Sequence, residues 1–284
     1  MGFANNDLVQ SAIEAQITNE ENKEEEYLDF NPLQLYFGDD YVVNDKITIH
    51  QPSIQDYITY GEENIQSVIY PFISNTTKCR LQLWNNGIDW NDITNQQLFS
   101  ILIKSIDLEY SKLMFGDIDF HGFSFFTEEK DGKESVILYN PIQDIKIDEP
   151  TRIKMCKYIQ YMFHTFPPEE EFTSSKTLKR DLINRDKQNL LAMKRDSSLK
   201  PPSLLSMISF YLNHPGSKYK KNELRNVGIV EFYDSVQRLQ IYESTHAVIN
   251  GSYSGFVDTS KIPKNEFNFM RDLKGSAWFF YTKI

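Results

Sequence analysis

The dipeptide Asp131-Gly132 constrains the fold of this chain more than any other local feature. It lies between residues 113–127 and residues 134–139, two segments rich in β-branched and aromatic side chains. Asp-Gly favours a tight hairpin turn, because both residues tolerate a positive φ. The pattern therefore predicts an antiparallel hairpin within residues 112–140, with its turn at residues 130–133.

Further β-structure is predicted in the first half of the chain. Alternating apolar residues and turn signals indicate extended segments at residues 33–37, 41–43, 46–50 and 80–84. Helices are expected between them, beginning at Ser53, near Glu63, and at Asp92 or Thr94.

The second half shows the spacing of helices. Met155, Ile159, Met162 and Phe166 form an apolar stripe at helical spacing. Further helices are predicted at residues 203–213, 222–225 and 230–250, with Gly251 as the C-cap of the last one. The fold class predicted is α+β, with a β-rich N-terminal half that carries an inserted hairpin and a helical C-terminal half.

These patterns divide the chain into four segments. The predicted segments are an acidic peripheral arm (1–31), an α+β domain (32–168), a charged linker or exposed helix (169–201), and a helical module with an aromatic C-terminal tail (202–284).

The charge is concentrated at the beginning of the chain. Residues 1–30 hold eight acidic groups and one Lys, so they carry −7 of the net charge of −10. The rest is near neutral, which argues against a dedicated duplex-binding protein. Cys79 and Cys156 have no nearby partner, so we expect reduced thiols. No stretch has the length of a membrane span or the pattern of a signal peptide, and we expect no membrane contact.

Candidate catalytic and metal sites are weak. Asp117, Asp119 and His121 are spaced by two, as the polar face of a strand requires, and two carboxylates with an imidazole suit a metal. The sequence pattern shows no further metal ligands for these three residues. The polar outer face of a strand is therefore sufficient to explain their spacing. Nucleophile-elbow, Walker, dinucleotide and His-Glu-x-x-His motifs do not occur. We therefore predict a non-enzymatic protein without catalytic, metal or cofactor-binding residues, and leave open an enzyme whose active-site residues are scattered.

Two groups of residues are candidates for binding a partner. The first is the aromatic run Trp278, Phe279, Phe280 and Tyr281, which suits a groove or a sheet edge on a partner. The second comprises Arg180, Arg185 and Lys187, within a segment (176–200) that has eight basic and three acidic residues. Either a solvated helix face or phosphate binding accounts for such a segment.

Two blocks of sequence resemble virion and tail-assembly proteins of tailed phages of Gram-positive hosts. The first is ITIHQPSIQDYITYG (47–61) joined to LWNNGIDWN (83–91). The second is EFYDSVQRL (231–239), continuing through GSYSG (251–255) to NFMRDL (268–273). No functional residue is defined by these blocks, so none is carried across.

The resemblance implies a structural or tail-assembly protein that binds other phage structural proteins. An assembly chaperone is one form of such a protein. Its expected location is the host cytoplasm during assembly and, for a structural component, the virion. Self-association is left open. The alternative is a phage nucleic-acid-associated accessory protein that uses the basic segment 176–200.

Overall fold

The computed structural model describes residues 28–130, 133–196, 201–254, 259–271 and 273. The chain divides into two units, Met1–Pro32 and Leu33–Ile284. Of the first unit only residues 28–32 are described, so the predicted acidic arm lies almost entirely outside the described residues. Helices and strands both occur, which confirms the α+β class. Helices dominate throughout, however, and the predicted β-rich N-terminal half is wrong.

The helices are Pro32–Phe37 (α1), Ile54–Tyr60 (α2), Glu62–Ile69 (α3), Arg80–Asn85 (α4), Asn95–Leu102 (α5), Leu108–Phe115 (α6), Glu149–Met162 (α7), Lys176–Arg195 (α8), Leu204–Asn213 (α9), Lys221–Leu224 (α10) and Ile229–Tyr253 (α11). The strands are Tyr41–Asn44 (β1), Ile47–Ile49 (β2), Ser124–Lys130 (β3), Lys133–Asn140 (β4) and Ile145–Ile147 (β5). Short 3-10 helices cover Tyr70–Ile73, Ile103–Ser105, Phe120–Gly122, Thr259–Lys261 and Lys264–Phe267.

Side-chain caps fix where two predicted helices begin. Ser53 and Asp56 form a reciprocal capping box at the start of α2. Thr94 and Gln97 form a second one at the start of α5, so Thr94 and not Asp92 is the cap. Both helices therefore begin where local sequence predicts.

The predicted hairpin is present but shorter than expected. Strands β3 and β4 pair antiparallel, and β4 also pairs with β5, so the sheet order is β3-β4-β5. Residues 113–115 are helical and not extended. Asp107 caps α6 by accepting a hydrogen bond from the Glu109 amide, and Gly116, at a φ of 61°, ends it. The dipeptide Asp131-Gly132 lies outside the described residues.

Two further predicted strands are helices. Segment 33–37 lies in α1, which ends at Gly38, where φ is 79°. Segment 80–84 lies in α4, because Cys79, Arg80 and Leu83 turn toward one buried side at helical spacing. The expected strand pairs at β1 and β2 do form, about a turn in which the Asn44 side chain accepts hydrogen bonds from two amides.

Aromatic rings fill the core of the first half. Phe72 stacks on Phe115 with ring centroids 5.0 Å apart and meets Phe99 edge-on at 5.3 Å. Phe120 contacts both Phe72 and Phe115. The 3-10 helix at residues 70–73 thereby holds the surrounding helices together.

The beginning of α11 is bound directly to the chain in front of α2. The amide of Ile229 donates to the Pro52 carbonyl at 2.9 Å, and the amide of Ile54 donates to the Val227 carbonyl at 3.0 Å. α11 then continues through Gly251 to Tyr253, so the predicted C-cap at Gly251 is wrong. One glycine within a packed helix costs about 1 kcal/mol, which is too little to end it.

Candidate interaction surfaces

The predicted basic residues Arg180, Arg185 and Lys187 all lie on α8. The predicted aromatic residues Trp278, Phe279, Phe280 and Tyr281 lie outside the described residues.

A buried arginine joins α8 to α4. The Arg80 side chain is 3% exposed and donates to both carboxylate oxygens of Asp186, at 2.8 Å from Nε and 2.9 Å from Nη2. Its Nη1 donates to Glu171 Oε2 at 2.9 Å. The planar guanidinium suits such bidentate pairing. We call Arg80, Glu171 and Asp186 the α4–α8 clamp.

Trp90 adds further contacts beside the clamp. Its indole Nε1 donates to the Glu171 carbonyl at 3.0 Å, and the Arg80 guanidinium lies 5.5 Å from its ring centroid. Lys179 on α8 lies over the same ring and forms an ion pair with Asp89. An apolar cluster lies beneath these contacts: Cys79, Leu83, Trp90, Leu98, Leu102, Leu182 and Ile183.

The pKa values of the Glu171 and Asp89 carboxylates are lowered. The hydrogen bond from Arg80 is the main cause of the lowered pKa of Glu171. At Asp89 burial acts to raise the pKa, but the hydrogen bonds from Lys179 and Asn91 and the charge of Lys179 together outweigh it, and the pKa is lowered. The Glu171 and Asp89 carboxylates are therefore charged at neutral pH, as their cationic partners require.

The basic residues of α8 fall into two sets. Arg185 donates to Glu171 Oε2 at 3.1 Å and so belongs to the surroundings of the clamp. Arg180, Lys187 and Lys194 are exposed and spaced by seven residues, which places them along one stripe of the helix. The stripe is about 21 Å long, from a rise of 1.5 Å per residue.

The metal-like set is a local turn and not the face of a strand. Asp119 caps the 3-10 helix at 120–122 by accepting from the His121 amide at 2.9 Å, and His121 Nε2 lies 2.9 Å from the Ile106 carbonyl. Asp117 forms an ion pair with Lys112. Among the described residues there is no group of three or more His, Cys, Asp or Glu side chains that would hold a metal ion.

The thiols are buried. Cys79 belongs to the apolar cluster beneath the clamp, and burial raises the pKa of Cys156 to about 11. A neutral thiol is a poor nucleophile at neutral pH.

Three other histidines lie on or just after helices. His164 adopts a positive φ of 46° just after α7, where burial lowers its pKa. His214 Nε2 lies 3.1 Å from Glu243 Oε1, and the His246 ring packs on Tyr242 and Phe269.

The hairpin exposes aromatic side chains at a sheet edge. β3 is an outer strand of its sheet. Phe125 and Phe126 point to opposite faces, yet their residues are 47% and 43% exposed. Val136, directly opposite Thr127 on β4, is also exposed. We call β3 and β4 the ribbon.

A second apolar surface lies on α9. Leu204, Met207 and Tyr211 form its buried stripe, and Tyr211 contacts Phe232 of α11 edge-on. A neighbouring stripe of Leu205, Ile208 and Leu212 lines an open groove of about 710 Å³. Leu205 is 74% exposed.

The rim of this groove is basic and polar. Its further lining residues are Ser209, Asn213, His214, Ser217, Tyr219, Lys220 and Lys221. We call the whole depression the α9 groove.

Sequence reasoning missed the α9 groove, although a signal was present. Helix 203–213 was predicted, but nearly every residue in LLSMISFYL is apolar or small. One face of a helix is enough for packing on a core, so an excess of apolar positions indicates a second apolar face.

No helix within the described parts of the chain has the length and apolar character to cross a membrane. Neither protein-family models, nor curated proteins, nor solved structures gave a match to this chain.

Proposed function

We propose that this protein is a non-enzymatic virion or tail-assembly protein of a tailed phage of a Gram-positive host, and that it acts by binding other phage structural proteins. The observation that carries the proposal is the ribbon, in which an outer strand exposes Phe125 and Phe126 on its two faces.

The ribbon suits a partner that contributes an extended segment. An outer strand presents backbone amides and carbonyls along its free edge, and soluble proteins usually protect such edges. Addition of a strand supplies main-chain hydrogen bonds, and side chains on alternate faces supply specificity. Exposed phenylalanines on both faces of β3 are the kind of anchor that dominates interfaces.

The phage origin rests on the two blocks of resemblance. In the fold, Pro52 and Ile54 of the first block (47–61) form backbone hydrogen bonds with Ile229 and Val227, which precede the second block (231–239).

Mass spectrometry of purified particles of the encoding phage tests the proposal, with copy number measured against the major tail and capsid proteins. A fixed copy number supports a virion component. Absence from particles, together with a complex with tail or head proteins in infected cells, supports an assembly role. Absence from both, or a coding sequence outside any phage or prophage, overturns the proposal.

A second candidate function is binding of nucleic acid by the stripe Arg180, Lys187 and Lys194. Its support is that these three cations point the same way along an exposed helix, whereas Asp186 faces Arg80. Cations in a row along one face match a phosphate backbone better than scattered ones. The near-neutral charge of the rest of the chain favours the first candidate.

A further inference from the structure

Helix α9 carries one apolar stripe more than its packing on the core uses. The second stripe, Leu205, Ile208 and Leu212, has the spacing i, i+3 and i+7 and forms the floor of the α9 groove. It extends about 10 Å along the helix, at 1.5 Å per residue. Helices pack against one another through side chains at this spacing. Leu205 is 74% exposed, so no helix within the described residues covers the floor.

The segment 217–221, which follows α9, forms a wall of the same groove. The Lys218 amide donates to the Tyr211 hydroxyl of α9 at 3.4 Å, and the Tyr219 hydroxyl donates to Glu231 of α11. Contacts to two helices thus hold the wall in place. A ligand meets a wall that is already formed, which lowers the entropy cost of binding.

The wall carries two positive charges that no carboxylate compensates. Lys218 forms an ion pair with Glu231 at 3.1 Å. Lys220 and Lys221 are exposed, and no carboxylate among the described residues forms an ion pair with either. Glu223 accepts from the Lys220 amide, but no acidic residue is among the described residues that line the groove. In a chain with a net charge of −10, such a groove favours a partner that brings carboxylates.

The form of the groove favours a helix over a membrane surface. It is an open depression of about 710 Å³ beside α9. A bilayer takes up apolar side chains that stand out from a protein surface. A depression along a helix instead receives the ridge of side chains of a second helix. Helices bound in such grooves place apolar anchors at i, i+3 or i+4, and i+7, which matches the floor.

We propose that the α9 groove binds an amphipathic helix of a partner protein. The apolar face of this helix packs on Leu205, Ile208 and Leu212, and acidic side chains at its flank lie beside Lys220 and Lys221. The phage origin and the ribbon play no part in the proposal, because it uses only α9 and the segment that follows it.

Two designed peptides serve as probes of the full chain. Both are alanine-rich helices with leucines at i, i+3 and i+7, and the flanking positions are glutamates in one peptide and lysines in the other. Fluorescence anisotropy of trace labelled peptide measures the affinity at low salt. We expect the glutamate peptide to bind about tenfold more tightly, because the two peptides differ in the sign of the charge that meets each of the two lysines.

Reversal of the two lysine charges should reverse this preference. Lys220→Glu with Lys221→Glu should bind the lysine peptide about tenfold more tightly than the glutamate peptide. Lys104→Glu with Lys264→Glu changes the net charge by the same amount at two exposed positions elsewhere and should keep the preference of the natural chain. An equal change of preference in both double variants would come from net charge alone and overturns the proposal.

A substitution in the floor gives an independent readout. Leu205→Ser removes an exposed apolar side chain that the ligand would bury, and leaves the buried stripe of α9 intact. We expect it to weaken binding of the glutamate peptide about tenfold. Ile58→Ser, at an exposed position on α2, is the matched control and should leave the affinity unchanged. Thermal unfolding checks that each variant keeps its fold. An unchanged affinity with Leu205→Ser contradicts binding to this floor.

Each remaining outcome overturns the proposal. Equal affinity for the two peptides means apolar contact without selection by charge, and no binding of either peptide at about 1 mM means that the groove does not take a helix. Binding to vesicles of phosphatidylcholine and phosphatidylglycerol that Leu205→Ser abolishes, without binding of peptide, assigns the groove to a membrane surface. Self-association in sedimentation velocity that Leu205→Ser abolishes, without binding of peptide, assigns it to a second copy of the chain.

Discussion

The guanidinium of Arg80 binds both carboxylate oxygens of Asp186, although the two residues are 106 positions apart. Because the arginine is buried, this carboxylate and that of Glu171 are needed to compensate its positive charge. The pair attaches α8, which would otherwise be largely exposed, to α4 and to the apolar cluster around Trp90.

Removal of one partner of this pair should destabilise the protein strongly. We expect Asp186→Asn to lower the free energy of unfolding by about 3 kcal/mol, because it leaves a buried cation with a poorer acceptor. Urea unfolding measures the change. Asp181→Asn, at an exposed position of the same helix, should stay within about 0.5 kcal/mol. A similar loss in both variants would mean that the effect comes from helix charge and not from the clamp.

The clamp should also weaken in acid. Because the folded-state pKa of Glu171 lies below its ordinary value of 4.5, its contribution to stability is complete above that value. It is lost as the pH falls below about 4.5 and passes through the lowered folded-state pKa. Unfolding measured between about pH 6 and pH 3 should therefore show a weaker pH dependence in Glu171→Gln than in the natural chain. Glu169→Gln, two positions away and exposed, should keep the natural dependence.

Gly122 should not tolerate a side chain. A Cβ there would lie 2.6 Å from Nδ2 of Asn140, which is buried and donates to the Asp119 carbonyl. We expect Gly122→Ala to cost about 1–3 kcal/mol through overpacking. In the background of Asn140→Ala the same substitution should cost much less, since the clashing amide is gone. Equal costs in both backgrounds, measured by urea unfolding, would rule out this contact as the cause.

The ribbon should bind its partner through its phenylalanines. We expect Phe125→Thr and Phe126→Thr each to weaken binding to the partner virion protein about 30-fold, as loss of about 2 kcal/mol at an interface anchor does. Incorporation into particles, or affinity for the partner found there, measures the effect. Ile142→Thr, at a highly exposed position beyond β4, is the control. Normal incorporation of the phenylalanine variants would exclude the ribbon as the binding surface.

The basic stripe of α8 makes a separate prediction. If it binds nucleic acid, Arg180→Gln with Lys187→Gln should reduce the slope of log affinity against log salt by about two, one for each lost phosphate contact. Lys104→Gln with Lys264→Gln, at two exposed positions elsewhere, should leave the slope unchanged. Salt-insensitive affinity in the natural chain would set the second candidate function aside.

Local chemistry carried the successful sequence predictions. Capping residues such as Ser53 and Thr94 act within one helical turn, so their effect can be read without the fold. A strand is predicted at Arg80 to Trp84, in front of the turn signal Asn85-Asn86-Gly87, but tertiary burial of Arg80 and Leu83 on one side decides for a helix. This burial depends on contacts with α8, which is about 100 residues away in the sequence. It therefore cannot be predicted from the local sequence.

The same limit applies to the candidate surfaces. Arg185, a predicted partner-binding residue, also contacts Glu171 within the chain, and its binding to a partner stays a prediction. Glu171 is the last of three consecutive glutamates that follow two prolines. By sequence alone, such a run indicates a solvated charge cluster. The fold gives two of those three glutamates specific partners, Arg80 for Glu171 and Asn95 for Glu170.

Burial of Cys79 beneath the α4–α8 clamp makes this thiol a labelling site for local opening. Cys79 is enclosed with Leu182 and Ile183 of α8, and its sulfur lies 3.4 Å from the Tyr70 hydroxyl. A water-soluble alkylating reagent reaches it when α8 separates from α4 or when the whole chain unfolds, so the alkylation rate reports the free energy of opening. Cys156, buried elsewhere on α7, supplies a second rate from the same sample. A ratio of the two rates that changes with conditions would distinguish release of α8 from unfolding of the whole chain.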